Sequence, residues 1–491
     1  MKIRSINPAN KKLLKEYNLL NLNEALREIE KSRNAFFKWK NLSLAKRTSL
    51  IKKVARVLRH NKKQLAIKIT NEMGKTINSS ILEIEKCAAL CDYYSVNAKK
   101  FLADETVKTE NKKSYVTFEP LGVVFGIMPW NYPFWQVFRF AVAALCAGNV
   151  VVVKHASNVL GSALEIEKVF RKTGFPESVL KALPIDSKTA TKLINKKSID
   201  AVSVTGSVET GKKIAEIAGR NLKKIVLELG GNDPFIVLKD ADLKFTCETG
   251  VKARMNNTGQ SCIAAKRFIV IKEISEKFEK TFIEYVKKLK VGNPLDKKNN
   301  IGPLAREDLV LNIERQVKDA VRKGAKILYG GRRPQELKGY YYMPTILSNV
   351  KKGMAVYDEE TFGPIASIIV VKNEEEAIKI ANSTKFGLGA SIWTKNTKKA
   401  ESLAKKIEAG SVFINGLVKS DPRLPFGGIK NSGYGRELSE YGIKEFVNIK
   451  TIVINSQKAR DAIKKIRLKR KVRLTNPQLK ALEKFKEGVR I

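Results

Sequence analysis

Cys262 closes the segment Asn257-Thr258-Gly259-Gln260-Ser261-Cys262, and Glu228 sits upstream in Leu227-Glu228-Leu229-Gly230-Gly231-Asn232. A thiol in a polar, glycine-containing turn is a candidate nucleophile. A lone carboxylate closing an apolar strand is a candidate general base, because desolvation among Val226, Leu227 and Leu229 raises its pKa. A cysteine is by default a small buried hydrophobe. That default suits Cys146 and Cys247, whereas the polar approach to Cys262 argues for exposure.

The rest of the composition narrows the chemistry. The two histidines, His60 and His155, exclude an HExxH zinc motif and any multi-histidine metal site. Cys87 and Cys91 lie four apart without a second cysteine pair or a nearby histidine, so they read as packed core thiols. No metal is expected, and acid–base work falls to carboxylates, lysine or water. Five cysteines without an apolar leader in MKIRSINPANKKLL read as free thiols in a reducing cytoplasm.

A chain of 491 residues, 43% apolar, is too long for one core and suggests two or three domains. Asn131, Arg139 and Asn149 interrupt its longest apolar stretch, 120–153, which suits a buried strand–helix–strand unit better than a spanning helix of ~20 apolar residues. Net charge is +44, from 93 Lys and Arg against 49 Asp and Glu. Such a surface attracts anions, nucleic acids included, with strong salt dependence. The lysines are dispersed over amphipathic helices rather than gathered on one reading face, so a specific nucleic-acid partner is not expected. A basic nucleic-acid-binding protein on a relict enzyme fold is the alternative from another functional class.

Apolar positions recurring at three and four predict helices across 22–103. From Leu121 the pattern changes to strands at 122–128, 150–154, 179–183, 201–204 and 225–229. Helices are expected between the later ones, at 160–172, 187–195 and 209–218. This is the rhythm of a parallel α/β sheet, with the run of four valines from Val150 as a strand buried on both faces. A second α/β unit after Gly231 has strands expected at 235–238, 267–271, 365–371, 390–394 and 411–415, with helices at 276–289 and 306–322. Stretches 108–121 and 444–455 alternate outside both units. The last 34 residues carry 13 Lys and Arg against 3 Asp and Glu. They read as a basic tail with a helix start at Thr475-Asn476-Pro477-Gln478 and one face formed by Leu479, Leu482 and Phe485.

Taken together with Pro129-Trp130-Asn131, the Cys262 and Glu228 segments resemble the NAD(P)-dependent aldehyde dehydrogenase superfamily from about residue 1 to about residue 455. The resemblance implies an α/β fold. A Rossmann-type cofactor domain would span 1–107 and 122–230, and an α/β catalytic domain 231–440. A β oligomerisation arm at 108–121 and 441–456 would make a homodimer or homotetramer, and the tail, 457–491, is not part of the family pattern. Cys262 would form a thiohemiacetal and then a thioester, with Asn131 and the Cys262 N–H binding the oxyanion and Glu228 activating water. No GxGxxG opens a helix, so the standard dinucleotide fingerprint is missing. By resemblance the phosphate-binding turn is Thr205-Gly206-Ser207-Val208-Glu209-Thr210-Gly211, with Gly206 and Ser207 at a helix N-terminus. Lys154 matches a lysine at the adenine ribose, Glu360 and Phe362 the pair at the nicotinamide end, and Trp130 joins the cofactor set. Many NAD-preferring members carry Glu where this chain has Ser157, so either NAD or NADP is expected, with NADP used at least as well.

The segments from Met128 to Arg139, Lys154 to Asn158 and Ser420 to Gly428 look like the branch that oxidises succinate semialdehyde. Arg139, eight residues beyond Asn131, matches an arginine that holds the substrate carboxylate. A second arginine of some relatives is Asn256 here, and Ser420 or Arg423 are candidates to compensate. Other small aldehydes, such as glutarate semialdehyde or lactaldehyde, are the alternative substrates.

Overall fold

Helical periodicity in the first hundred residues is realised as four helices, Leu22–Lys40, Leu44–His60, Lys62–Met73 and Ile77–Phe101. The first begins with a reciprocal cap: the Asn21 side chain accepts from Glu24 N at 3.0 Å, and Glu24 accepts from Asn21 N at 2.7 Å. The structure is a computed structural model, and it describes residues 2–455 together with Asp461, Lys464 and Lys465. Apart from those three residues the basic tail, with its expected helix at 475–485, lies outside the described residues. By contacts the chain forms two units, Met1–Phe101 with Pro120–Val447, and Leu102–Glu119 with Asn448–Ile491.

The larger unit holds two sheets. In the first, six strands run in the order Gly433–Tyr434, Lys224–Glu228, Ala201–Thr205, Val123–Met128, Val150–His155 and Leu180–Ala182. All neighbours but the first pair are parallel, so the strand ends carrying Asn131, Lys154, Gly206 and Glu228 gather at one edge. That carboxyl edge is where open α/β sheets bind ligands. The second sheet has seven strands, ordered Lys326–Tyr329, Thr345–Ser348, Ile365–Val371, Arg267–Ile271, Pro234–Val237, Gly389–Trp393 and Ser411–Ile414. Its parallel strands Pro234–Val237, Arg267–Ile271 and Ile365–Val371 present their amino ends together. The segments entering those ends carry Gly231, Cys262 and Glu360.

In the smaller unit, Glu105–Val107, Lys113–Pro120 and Val447–Ile454 make a three-stranded sheet. Ile449, Val453 and Ile454 are exposed on it. Two pairings were not anticipated from sequence, the hairpin Lys2–Ile6/Leu13–Asn18 and the antiparallel pair Lys326–Tyr329/Thr345–Ser348. These edge strands are short, and both strands of the hairpin carry charged residues on mostly exposed positions, so no clean period-two pattern marks them. Among the described residues no helix is long and apolar enough to cross a membrane.

One buried ion pair organises the approach to Asn131. The helix Trp135–Ala147 is buried along its whole length and lacks a side-chain cap of its own. Glu83, from the helix Ile77–Phe101, supplies one by accepting from Phe134 N at 2.8 Å and Trp135 N at 3.0 Å. Its second oxygen accepts from Lys75 Nζ at 2.5 Å, and Lys75 also lies 3.7 Å from the Tyr132 ring centroid. Gly126 lets this helix lie close on the sheet, since a Cβ there would overlap the Phe140 ring. Removing one member of such a pair strands the other charge in the interior. Glu83→Ala is expected to lower unfolding free energy by about 3–5 kcal/mol. Denaturant titration checks this, and a loss under about 1 kcal/mol would contradict it.

Candidate active site

The nucleophile turn is built from an unusual run of backbone. After the helix Leu243–Met255, Asn257, Thr258 and Gly259 all take positive φ, at 53°, 56° and 73°. A β-branched threonine in that region is strained, so the surroundings must over-determine it. They do so with polar side chains. Thr258 Oγ1 donates to Gly302 O at 3.1 Å, Asn257 Nδ2 to Asn131 O at 2.8 Å, and Gln260 accepts from Ala305 N at 2.9 Å. Buried Arg254 donates to the carbonyls of Gly259, Thr361 and Gly363, tying this turn to the Glu360–Phe362 segment.

Lys266 is the second tie. Its buried ammonium donates to the carbonyls of Ser261 at 3.1 Å, Cys262 at 2.6 Å and Ala264 at 3.2 Å, and lies 3.8 Å from Glu360 Oε1. In a trans peptide the N–H points away from the carbonyl that precedes it. Holding Ser261 O therefore aims the Cys262 N–H outward, and among the described residues no hydrogen bond takes it. Asn131 Nδ2 donates one N–H to Gln260 O at 3.1 Å, which leaves its second for another acceptor. Both the second Asn131 N–H and the Cys262 N–H are thus uncommitted donors, the kind of group that stabilises an oxyanion.

Cys262 alone of the five cysteines is partly exposed. It opens on a cavity of about 480 Å³, bounded also by Tyr132, Trp135, Arg139, Phe426 and Ser420. Burial pushes its thiol up to about 12, with Glu360 and Glu228 adding to the rise and Arg139 and Lys266 opposing it. The resting sulfur is therefore a protonated thiol. Glu228 is buried, and neither carboxyl oxygen has a hydrogen-bond partner among the described residues. Desolvation first, then Glu437, hold its pKa well above the usual carboxylate range against the pull of Arg139 and Arg436. It does not line the Cys262 cavity but sits beneath Gly427, where an added Cβ would come within 2.8 Å of Oε1.

The substrate candidates separate. Arg139 lines the cavity, yet its Nε pairs with buried Glu437, Nη2 donates to Thr205 Oγ1 at 3.5 Å, and its guanidinium lies 4.4 Å from the Phe426 ring centroid. The expectation of an arginine free for a substrate carboxylate thus meets one already paired. Ser420 lines the cavity and accepts from Lys86 Nζ at 2.6 Å. Arg423 is not among the lining residues. It is 75% exposed and grips Asp421 with two nitrogens, at 2.9 and 2.7 Å. Lys86 and Glu437 escaped the sequence reading; each sits among ordinary helix or loop residues, and only the fold brings them to the site.

A dinucleotide cofactor fits the other residues. Ser207 caps the helix Val208–Arg220 by accepting from Thr210 N at 3.2 Å, and the space beside Gly206 is open, with nothing nearer than 3.9 Å to an added Cβ. An open helix N-terminus with uncommitted N–H groups suits a pyrophosphate. Lys154 is half-buried near the end of the strand Val150–His155, its pKa lowered by burial, while Ser157 is exposed just beyond. Glu360 accepts from Gly231 N at 2.9 Å, and Trp130 meets Phe362 edge-on at 5.6 Å between centroids.

The Aldehyde dehydrogenase family pattern matches residues 1–452, and the chain belongs to that family. Among its relatives is a probable succinate-semialdehyde dehydrogenase [NADP(+)] of Synechocystis. It is 46% identical over 454 residues, which is 92% of this chain and 100% of that protein. A succinate semialdehyde dehydrogenase [NAD(P)+] of Escherichia coli is 42% identical over 91% of this chain and 97% of its own length. In structure, succinic semialdehyde dehydrogenase from Streptococcus pyogenes in complex with NADP+ superposes with a TM-score of 0.90 at 35% identity, covering 92% of this chain and all of that one.

A thiol with so high a pKa should alkylate slowly near neutrality. In the cofactor-free enzyme, the iodoacetamide rate at Cys262, followed by peptide mass spectrometry, is expected to climb from pH 7 to pH 10 without levelling, as thiolate accumulates. A plateau below pH 9 would contradict the assignment.

Proposed function

We propose that this protein oxidises succinate semialdehyde to succinate with NADP, or less efficiently NAD, as the electron acceptor. The observation that carries the reading is the partly exposed Cys262 thiol opening on a small cavity bounded by cationic side chains, with Asn131 Nδ2 bonded to Gln260 O in the same turn. In this reading the six-stranded sheet holds the cofactor, and the turn entering the seven-stranded sheet carries the nucleophile.

The Cys262 thiol gives its proton to water, and the thiolate attacks the aldehyde carbon, forming a C–S bond as the C=O π pair moves onto oxygen to give an sp³ alkoxide. Asn131 Nδ2 and the Cys262 N–H stabilise that oxygen; loss of one such donor typically costs about 10²–10³ in rate. When bound, the nicotinamide supplies the hydride acceptor that turns this adduct into a thioester. Lys154, Gly206 and Ser207 would hold the cofactor's ribose and phosphates, and Trp130, Glu360 and Phe362 would flank its nicotinamide end. Glu228 then takes a proton from water, whose oxygen attacks the thioester carbon. The C–S bond breaks, the acid leaves, and the cysteine is restored. For this step Glu228 must be ionised, against the raised pKa that burial gives it, and must reach the cavity from its site beneath Gly427.

NADP use is supported by Ser157, where a carboxylate would repel a 2′-phosphate next to Lys154. Action as a homo-oligomer is supported by the exposed apolar residues Ile449, Val453 and Ile454 on one strand. A cytoplasmic site of action is supported by five cysteines that are all unpaired.

A panel of aldehydes assayed with both cofactors tests the reading. Succinate semialdehyde with NADP is expected to give the highest kcat/KM, and Ser157→Glu to weaken NADP relative to NAD by roughly tenfold or more. A wild-type preference for uncharged aldehydes, or exclusion of NADP, would contradict it.

A further inference from the structure

Two carboxylates, Asp233 and Glu360, lie beside the buried Lys266 ammonium. Asp233 is 2% exposed and immediately precedes the strand Pro234–Val237. Its Oδ1 accepts from Gly389 N at 3.2 Å, and its Oδ2 has no hydrogen-bond partner among the described residues. Lys266 N and Arg267 N donate to Asp233 O at 3.0 and 3.3 Å, which ties this residue to the lysine that holds Cys262 O. Glu360 accepts from Gly231 N at 2.9 Å, with its Oε1 3.8 Å from Lys266 Nζ. Gly231 is what lets these groups meet. A Cβ there would lie 2.5 Å from Cys262 O and 2.9 Å from Asp233 Oδ1. No second counter-charge is at hand among the described residues. The Arg267 guanidinium is spent on the carbonyls of Asn232, Ile380 and Ala381, and Glu408, which shares a cleft with Asp233, is exposed and paired with Lys430.

We propose that Asp233 is a positioning residue for the nicotinamide end of the cofactor, acting by competing with Glu360 for Lys266. This rests on the cofactor reading above, in which Glu360 flanks the nicotinamide. While Asp233 is a neutral acid, the ammonium compensates Glu360 alone and holds that carboxylate beside Gly231. Once Asp233 ionises, one ammonium serves two anions, and Glu360 is held less firmly. Burial pushes the Asp233 carboxyl up to about 7 against Lys266, the Gly389 N–H and Arg267, with Glu360 adding to the rise. The exchange therefore falls near neutrality. A cofactor that prefers the form with neutral Asp233 takes up protons as it binds, and its affinity falls as pH rises through that range.

Fluorescence titration of the full chain with NADPH and with NADH, from pH 6 to pH 8.5, tests the assignment. The reduced cofactors carry an uncharged nicotinamide, and NADH lacks the 2′-phosphate, whose own ionisation near about 6 would otherwise intrude. The Kd of both is expected to rise roughly fivefold over this range, the rise beginning near pH about 7. Asp233→Asn keeps the shape and removes the charge, so its Kd should stay at the low-pH value of the wild type throughout. A residue with a merely structural role would instead shift Kd equally at every pH, and that result would overturn the assignment. So would a wild-type Kd for NADH that does not change with pH, a dependence confined to NADPH, or one that persists in Asp233→Asn. Each of these leaves the functional reading intact, and the wild-type NADH profile decides the question even where the variant does not fold. Failure of both cofactors to bind would overturn the assignment and the functional reading together.

Discussion

The site depends on one buried ammonium. Lys266 gathers the carbonyls of Ser261, Cys262 and Ala264 around a single charge, and in doing so fixes which way the intervening peptide planes face. Without that charge the turn would have to pair three carbonyls elsewhere or leave them unsatisfied in the interior, where each costs about 1–3 kcal/mol. Lys266 is costly to bury, and its pKa is lowered by desolvation; Glu360 and Asp233 offset part of that cost. The same residue thus couples the nucleophile turn to the segment proposed to flank the nicotinamide. Arg254 repeats the device one turn earlier, from Gly259 to Gly363.

Burial also sets the resting charge of the reacting groups. Both Cys262 and Glu228 have pKa values raised by desolvation, which disfavours the charged form of each in the site without substrate. Glu228 itself adds to the rise of the Cys262 pKa, though as the smallest contribution. Ionisation of either group is thus favoured by whatever brings positive charge or water to it. The buried Arg139–Glu437 pair next to Glu228 belongs to the same balance, since Arg139 favours ionisation of Glu228 and Glu437 opposes it.

Much of this architecture was legible in the residues. The four-valine run became the strand Val150–His155, and the helices expected at 160–172 and 187–195 appear as Leu160–Lys172 and Ser187–Ile194. Those elements carry their period locally. The short hairpin Lys2–Ile6/Leu13–Asn18 does not, because its alternation is broken by charge and it has only one face to bury. Within the site, Cys262, Asn131 and Glu228 stand in recognisable local motifs. Arg139 was readable as a cation near the nucleophile, but its partner Glu437 lies almost three hundred residues away, and no local pattern announces the pairing. Lys86 was hidden for the opposite reason: on a lysine-rich chain, one more lysine on a helix carries no signal until the fold shows which way it faces.

All of this converges on a bond between Cys262 and the substrate. Intact-protein and peptide mass spectrometry of Glu228→Gln, quenched after mixing with succinate semialdehyde and NADP, tests it most directly. The account predicts a succinyl thioester on the peptide containing Cys262, accumulating because the residue proposed to activate water is gone. Full reduction of NADP over many turnovers with no adduct on that peptide would contradict it.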